Sequence, residues 1–369
     1  VWEVDQSPPQ LLSDSKQPPA HLQREIATIV ADATRDDLLT RLNPRDKALL
    51  LSHAGDHSSI SCTPYRADYI VPNDQWLIGM KRRLLLDLIT FSSESVRCQC
   101  SQCGKPIDAK CDHLLSCPRV NSGARTSVWH DDLVRSVSHV LRSFGITHRV
   151  EPTGLVPSRN LRPDLLVSPD PESEAQSATL LDVRTCISTN KDQLHHASVK
   201  AGHAASQGEA SKNAKWHQPA SDQGCVFVPI CVEEGGRLGE ACRAFLASIG
   251  SRLQASGEPS FNRRAFMAFA LNHIQLTNFK AVARVIQDNT YHLIPEATRA
   301  QTQRIPGPLQ RRPSPYHRCP RSSTLPVRLQ ATPATQLPAW ALTNSDPGLR
   351  TFTDLGFVPQ APPTTNTTT

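Results

Sequence analysis

The apolar positions of this chain change period several times along its length. Between residues 21 and 56, Leu38, Leu39, Leu42, Leu49, Leu50 and Leu51 supply helical apolar faces. Residues 75–92 predict another helix, in which Lys81-Arg82-Arg83 precede Leu84-Leu85-Leu86. From Ala124 the pattern becomes compact. Val134, Val137, Leu141 and Phe144 recur at helical spacing, and Gly145 is placed to end that helix. Residues 146–151 alternate like a strand, and the short apolar runs Leu165–Val167 and Leu180–Val183 suit buried strands. Residues 192–216, rich in Ala, His and Lys, predict a helix. Residues 225–232 predict a last strand, and 237–249 and 262–288 further helices. Helix, strand, strand, strand, helix, strand is an α/β order, with one sheet covered by helices on both faces.

The ends lack such patterning. Pro8-Pro9 and Pro18-Pro19 lie among polar residues, so residues 1–20 predict a disordered lead-in. Residues 291–369, rich in Pro, Arg, Ser and Thr, predict a disordered tail. The 369 residues suffice for one large domain or two small ones, and the 30 prolines and 38% hydrophobic content imply that part of the length is not packed core. No stretch approaches the roughly 20 apolar residues that span a membrane. The first residues have neither the basic nor the apolar region of a secretory signal, and the missing initiator Met suggests a fragment or a processed chain. A net charge of +6 permits nucleic-acid binding without arguing strongly for it.

Cysteine usage changes the picture more. Cys98, Cys100, Cys103, Cys111 and Cys117 crowd together with His113, and in a chain without a secretion signal such clustering favours metal over disulfides. The spacing Cys100-x2-Cys103-x9-His113-x3-Cys117 offers the four soft ligands that tetrahedral zinc requires, and Gly104 gives the turn its freedom. Cys98 and Cys111 compete for the same role, and ordinary reduced cysteines are the alternative. With every position filled by protein, the zinc would be structural.

A second constellation carries charge. Asp164 follows Arg162-Pro163 at the start of one strand, and Asp182 sits inside another. An acid within an apolar strand is costly unless paired or bound to metal. Two acids on neighbouring strands would bind Mg²⁺ through oxygen, and Glu151 is a candidate third carboxylate or supporting partner. Lys212 and Lys215, near one face of the following helix, are candidates for orienting a water or stabilising the transition state. The alternatives are that Asp164 is a turn residue and that Asp182 pairs with Arg184 or Arg162. His195-His196 and His203 read as solvated helix residues rather than a second metal site.

Taken in order, these motifs resemble a known family. They are Cys-x-x-Cys-Gly104, Asp112-His113-x-x-x-Cys117-Pro118, Trp129-His130-Asp131-x-Leu133, Glu151-Pro152-Thr153-Gly154-Leu155, Arg162-Pro163-Asp164-Leu165-Leu166-Val167, Leu181-Asp182-Val183, Ala210-x-Lys212-x-x-Lys215-Trp216 and Phe227-Val228-Pro229. The run is similar to the C-terminal region of non-LTR retrotransposon reverse transcriptase polyproteins, where a zinc knuckle precedes a restriction-like PD-(D/E)XK endonuclease. Asn43-Pro44-Arg45-Asp46-x-Ala48-x-Leu50-Leu51-Ser52 resembles the segment upstream of the knuckle, so the likeness runs from about Asn43 to Asp288.

The resemblance implies an αβββαβ mixed-sheet core at 121–290, after a helical segment at 21–95 and a CCHC knuckle at 96–120. It implies structural zinc at Cys100, Cys103, His113 and Cys117, selecting them over Cys98 and Cys111. It implies catalytic Mg²⁺ at Asp164 and Asp182, with the lysine displaced onto the helix at Lys212. The expected activity is target-DNA nicking in the nucleus. DNA is the expected partner, the element's RNA a second candidate, and no membrane or small-molecule substrate is expected. Departures are Arg184 in place of the core Lys, Trp216 in place of Tyr, Cys111 in place of Gly and a slightly long Asp164–Asp182 separation. They keep open an inactive, zinc-dependent nucleic-acid-binding remnant, in which the knuckle and the basic residues Arg97, Lys105, Lys110, Arg119 and Arg125 would hold a nucleic-acid backbone. No Tyr/Phe-x-Asp-Asp polymerase box is present.

Overall fold

The computed structural model describes residues 22–53, 69–89, 99–120, 128–155, 161–169, 177–257 and 261–290. The expected lead-in and tail, and Cys98 with Arg97 and Arg125, lie outside these residues. The region read as one helical stretch forms two helices, α1 (Leu22–Arg41) and α2 (Pro44–His53). The break is written into Asn43-Pro44. Asn43 Oδ1 accepts the Asp46 N–H at 2.9 Å while Asn43 Nδ2 donates to Asp46 Oδ2 at 2.9 Å, a reciprocal cap, and Pro44 takes the first helical position.

Helix α3 (Asn73–Arg83) stops short of the expected residue 92. Leu85 adopts φ 60, and the Leu88 and Ile89 N–H groups donate to Ala109 O at 2.8 and 3.1 Å. The apolar triplet Leu84-Leu85-Leu86 is therefore a turn onto the cysteine region rather than a helical face. Two short helices follow, α4 (Asp112–Ser116) and α5 (Pro118–Val120).

The α/β core then follows the expected order. Helix α6 (Asp131–Ser143) ends at Gly145, whose φ is 70. Strands β1 (His148–Val150), β2 (Leu165–Val167) and β3 (Thr179–Cys186) come next. The helix expected over 192–216 is divided. A single turn, α7 (Leu194–Ala197), is separated by a bend at Gly202 (φ 77) from α8 (His203–Ser221). Strand β4 (Val226–Glu233) and helices α9 (Glu240–Ala255) and α10 (Arg263–Thr290) complete the described chain.

The sheet has the order β1-β2-β3-β4, antiparallel across β1/β2 and β2/β3 and parallel across β3/β4. Alternation along β3 assigns its two faces. Leu181 and Val183 join the main core, with Ile230 and Val232 of β4, Trp129, Leu133 and Val137 beside and on α6, and the apolar side of α10. Arg184 and Cys186 look the other way, toward α8. Helix α8 packs close there because residue 208 is glycine. A Cβ at Gly208 would lie 2.7 Å from Cys186 Sγ and 3.0 Å from Cys231 Sγ. Pro229, opposite Asp182, is tolerated because β4 is an edge strand of this sheet. No helix among the described residues is long and apolar enough to cross a membrane.

Candidate active site and metal centre

The cysteine region builds a cage from a tight turn and a short helix. Cys100 N–H donates to Lys105 O at 2.8 Å and Gly104 N–H to Cys100 O at 2.8 Å, with Gly104 at φ 72. This folds Cys100 and Cys103 onto one side. Helix α4 presents His113, and Cys117 stands at its end. The ligand atoms of Cys100, Cys103, His113 and Cys117 all lie within 4.8 Å of one another, and Cys103 Sγ is 3.1 Å from His113 Nε2. A zinc tetrahedron with Zn–S bonds of about 2.3 Å needs edges of about 3.8 Å. The cluster can therefore hold a metal ion such as zinc. Cys111 is excluded from it and occupies a buried left-handed position (φ 61). The backbone N–H of Lys105, helped by His113, carries the Cys103 thiol down to about 6, toward the thiolate that ligates metal.

Asp108, which the spacing did not single out, organises this cage. Its Oδ1 accepts the N–H groups of Lys110 (3.1 Å) and Asp112 (3.0 Å), and its Oδ2 accepts that of His113 (2.9 Å). It thereby satisfies the unpaired donors at the start of α4. The cage also shares its core with the sheet domain. Cys100, Cys117, Leu114 and Leu115 belong to the same buried cluster as Leu133 and Ile274. Of the basic residues assigned to a nucleic-acid contact, two are engaged internally. Lys110 Nζ contacts Asp46 Oδ1 at 2.8 Å and Leu85 O at 3.0 Å, and Arg119 Nη1 donates to Gln102 O at 2.9 Å.

The second constellation assembles at one end of the β2/β3 pair. Asp164 N–H donates to Leu181 O at 3.0 Å, and Val183 N–H donates back to Asp164 Oδ2 at 2.6 Å. The carboxylate thus takes the place of the next ladder acceptor where β2 begins. Asp182, between those β3 residues, is 5% exposed and has the parity that faces α8. Lys212, on α8, forms an ion pair with Asp182 Oδ2. Burial raises the Asp182 carboxyl above its usual range and the Asp164 charge adds to this, against the opposing pull of Lys212 and Lys215.

The structure therefore brings Asp164, Asp182 and Lys212 together. The alternatives in which Asp182 pairs with Arg184 or Arg162 are not realised. Arg162 Nη2 instead lies 3.2 Å from Glu151 Oε1 at an exposed site. Glu151 is tied to the constellation through its backbone, its N–H donating to Asp164 O at 2.7 Å, while its carboxylate is held by Arg162. Lys215 Nζ stands 5.5 Å from the centre of the Trp216 ring and acts on Asp182 through its charge. Trp216 is fully buried and stacks on Phe227 at 5.7 Å.

His130 belongs to the same site, although the sequence reading gave it no role. Its Nε2 lies 3.3 Å from Asp164 Oδ2 and its Nδ1 3.1 Å from Asp131 Oδ1. Burial pulls the imidazole down, but the two carboxylates outweigh it and carry the ring up to about 9. The neighbouring Trp129 anchors this turn, its Nε1 donating to Asn278 Oδ1 at 2.8 Å. The His195, His196 and His203 rings stand 5.2 and 5.1 Å apart in sequence, and among the described residues the Cys₃His cage is the cluster that could hold a metal ion. In comparisons with known proteins, no family model matches this chain and no curated protein matches it significantly.

Proposed function

We propose that the chain is the target-nicking part of a retrotransposon-type reverse transcriptase polyprotein, a Mg²⁺-dependent DNA endonuclease with a restriction-like core and a nuclear site of action. The observation that carries the reading is the meeting of Asp164, just before β2, and Asp182, within the adjacent β3, with Lys212 from the following helix. The strand directions, antiparallel then parallel with α8 as the crossover, agree with the αβββαβ order of that core.

The donor set fits a hard divalent cation. Two carboxylates share a partly buried site, and their mutual repulsion helps keep Asp182 above its ordinary range. Mg²⁺ held by Asp164 and Asp182 would supply an acidified water and a counter-charge to the phosphate. The chain's own residues do the positioning. The Val183 N–H and His130 fix Asp164 Oδ2. Lys212 presents its ammonium at Asp182, where it can orient a water and stabilise charge developing on the phosphate oxygens. Lys215 adds positive potential from the same helix.

The test is a nicking assay of the full chain on supercoiled DNA with Mg²⁺. Asp164→Ala and Asp182→Ala are expected to abolish cutting, and an Asp164→Ala variant that nicks as fast as the parent overturns the mechanism. One observation favours a second reading, a zinc-dependent binding module without catalysis: each acid already carries a cationic partner, His130 on Asp164 and Lys212 on Asp182. DNA binding that weakens steeply with salt, without any cleavage, is its signature.

A further inference from the structure

A chain of ion pairs, partly buried at Arg45 and Asp112 and fully buried at Arg82 and Glu234, links the Cys₃His cage to the loop after β3. Asp112, which precedes the ligand His113, accepts from Arg45 Nε at 2.5 Å, from Arg45 Nη2 at 2.7 Å and from Arg82 Nη1 at 2.8 Å. Arg82 is buried on α3, and its Nη2 pairs with Glu234 Oε2 just beyond β4. The other oxygen of Glu234 accepts from Ser188 Oγ (2.9 Å), Thr189 N–H (3.0 Å) and Thr189 Oγ1 (2.9 Å). Ser188 and Thr189 follow β3, the strand that bears Asp182.

The cage end of this path rests on Asp108 and on the buried Leu114 and Leu115, to which a metal would add a further constraint. Helix α4 is five residues long, too short to persist alone, and it begins after the left-handed Cys111. A metal on His113 and Cys117 would close that turn and fix where the Asp112 carboxylate stands. A guanidinium as deep as Arg82 needs both of its carboxylates, so displacement of Asp112 disturbs the pairing with Glu234 as well.

We propose that the cage is a metal-dependent latch on the sheet: occupancy holds Asp112 against Arg82, and Arg82 in turn fixes Glu234 and the Ser188–Thr189 loop after β3. Loss of metal therefore loosens that loop at a distance, whether or not the acid site cuts DNA.

Hydrogen exchange of the full chain, zinc-loaded and after chelation, reads this directly. Removal of metal is expected to speed exchange by about tenfold or more in residues 99–117, 79–83, 186–190 and 233–237, with residues 206–221 and 240–255 unchanged. An increase confined to 99–117 shows an autonomous cage and overturns the latch. A uniform increase over every peptide overturns it too, because the metal then merely keeps the whole chain folded. Arg82→Lys isolates the link, since an ammonium keeps the charge but lacks the fork that bridges two carboxylates. With zinc still bound at one equivalent, this variant is expected to exchange faster at 186–190 than the parent. Exchange no faster than the parent's at that loop sinks the path through Arg82.

Discussion

Lys212 and Lys215 are three residues apart on α8, yet their settings separate them. Lys212 touches Asp182, whereas Lys215 stands by Trp216 and reaches the site only through its field. Removing a group that stabilises developing charge typically costs about 10²–10³ in rate. Under the endonuclease mechanism proposed above, Lys212→Met is accordingly expected to slow single-turnover nicking by about that factor, and Lys215→Met by roughly tenfold or less. Equal losses would show that the contact with Asp182 has no special role. Much of this residue-scale picture was legible. An aspartate inside Leu180–Val183 is anomalous in a buried strand, and that anomaly led to Asp182. His130 and Asp108 were not legible, because each acts through partners distant in sequence or through backbone N–H groups that no spacing rule exposes. Arg82 was hidden for a similar reason, since its partners Asp112 and Glu234 are distant in sequence.

Among the elements, α4 and α8 carry the strongest local constraints. Asp108 satisfies three backbone donors around the start of α4. Asp108→Ala is expected to weaken the cage by about 0.5–2 kcal/mol, seen as faster loss of zinc to a competing chelator. On α8, Gly208 allows the helix to rest on two buried thiols. Gly208→Ala is expected to lower stability by roughly 1–3 kcal/mol through overpacking, read as an earlier denaturant midpoint with an unchanged slope. Apolar patterning found the strands and the long helices well because burial on both faces makes the middle of β3 a nearly continuous apolar run and burial of one face leaves a stripe in α6. It failed at Leu84-Leu85-Leu86 and at Ser198–Gly202. At both places a left-handed residue turns the chain, Leu85 in the first and Gly202 in the second, and neither leaves a mark in apolar spacing.

For the molecule as a whole, one source of pH sensitivity lies at the end of β4. Glu233 is buried, and burial is the main reason its carboxyl rises to about 7, although Ala205 N–H donates to its Oε1 at 2.9 Å. The unfolded chain releases this proton near the ordinary value of 4.5, so the folded chain holds more protons between 4.5 and about 7. The Glu233 contribution to stability therefore falls as pH rises through that window and levels off above it, while His130, raised from 6.5 to about 9, adds a further fall between those two values. The Glu233 loss is on the order of 3 kcal/mol. Glu233→Gln is expected to flatten the slope, and denaturant titrations at pH 5 and pH 8 measure it. A variant that keeps the parent's slope would assign the effect elsewhere.

The closeness of α8 to the sheet has a further consequence for how this site can vary. Gly208 and Lys212 are one turn apart, so the residue on which the helix rests and the residue that delivers the ammonium share a face. The gap between lysine and carboxylate is metered by a position with no side chain at all. A single methyl there would act as a shim, lifting the helix and withdrawing the charge while every charged group kept its identity. The site can thus be detuned by changing thickness alone, with no alteration in its chemistry.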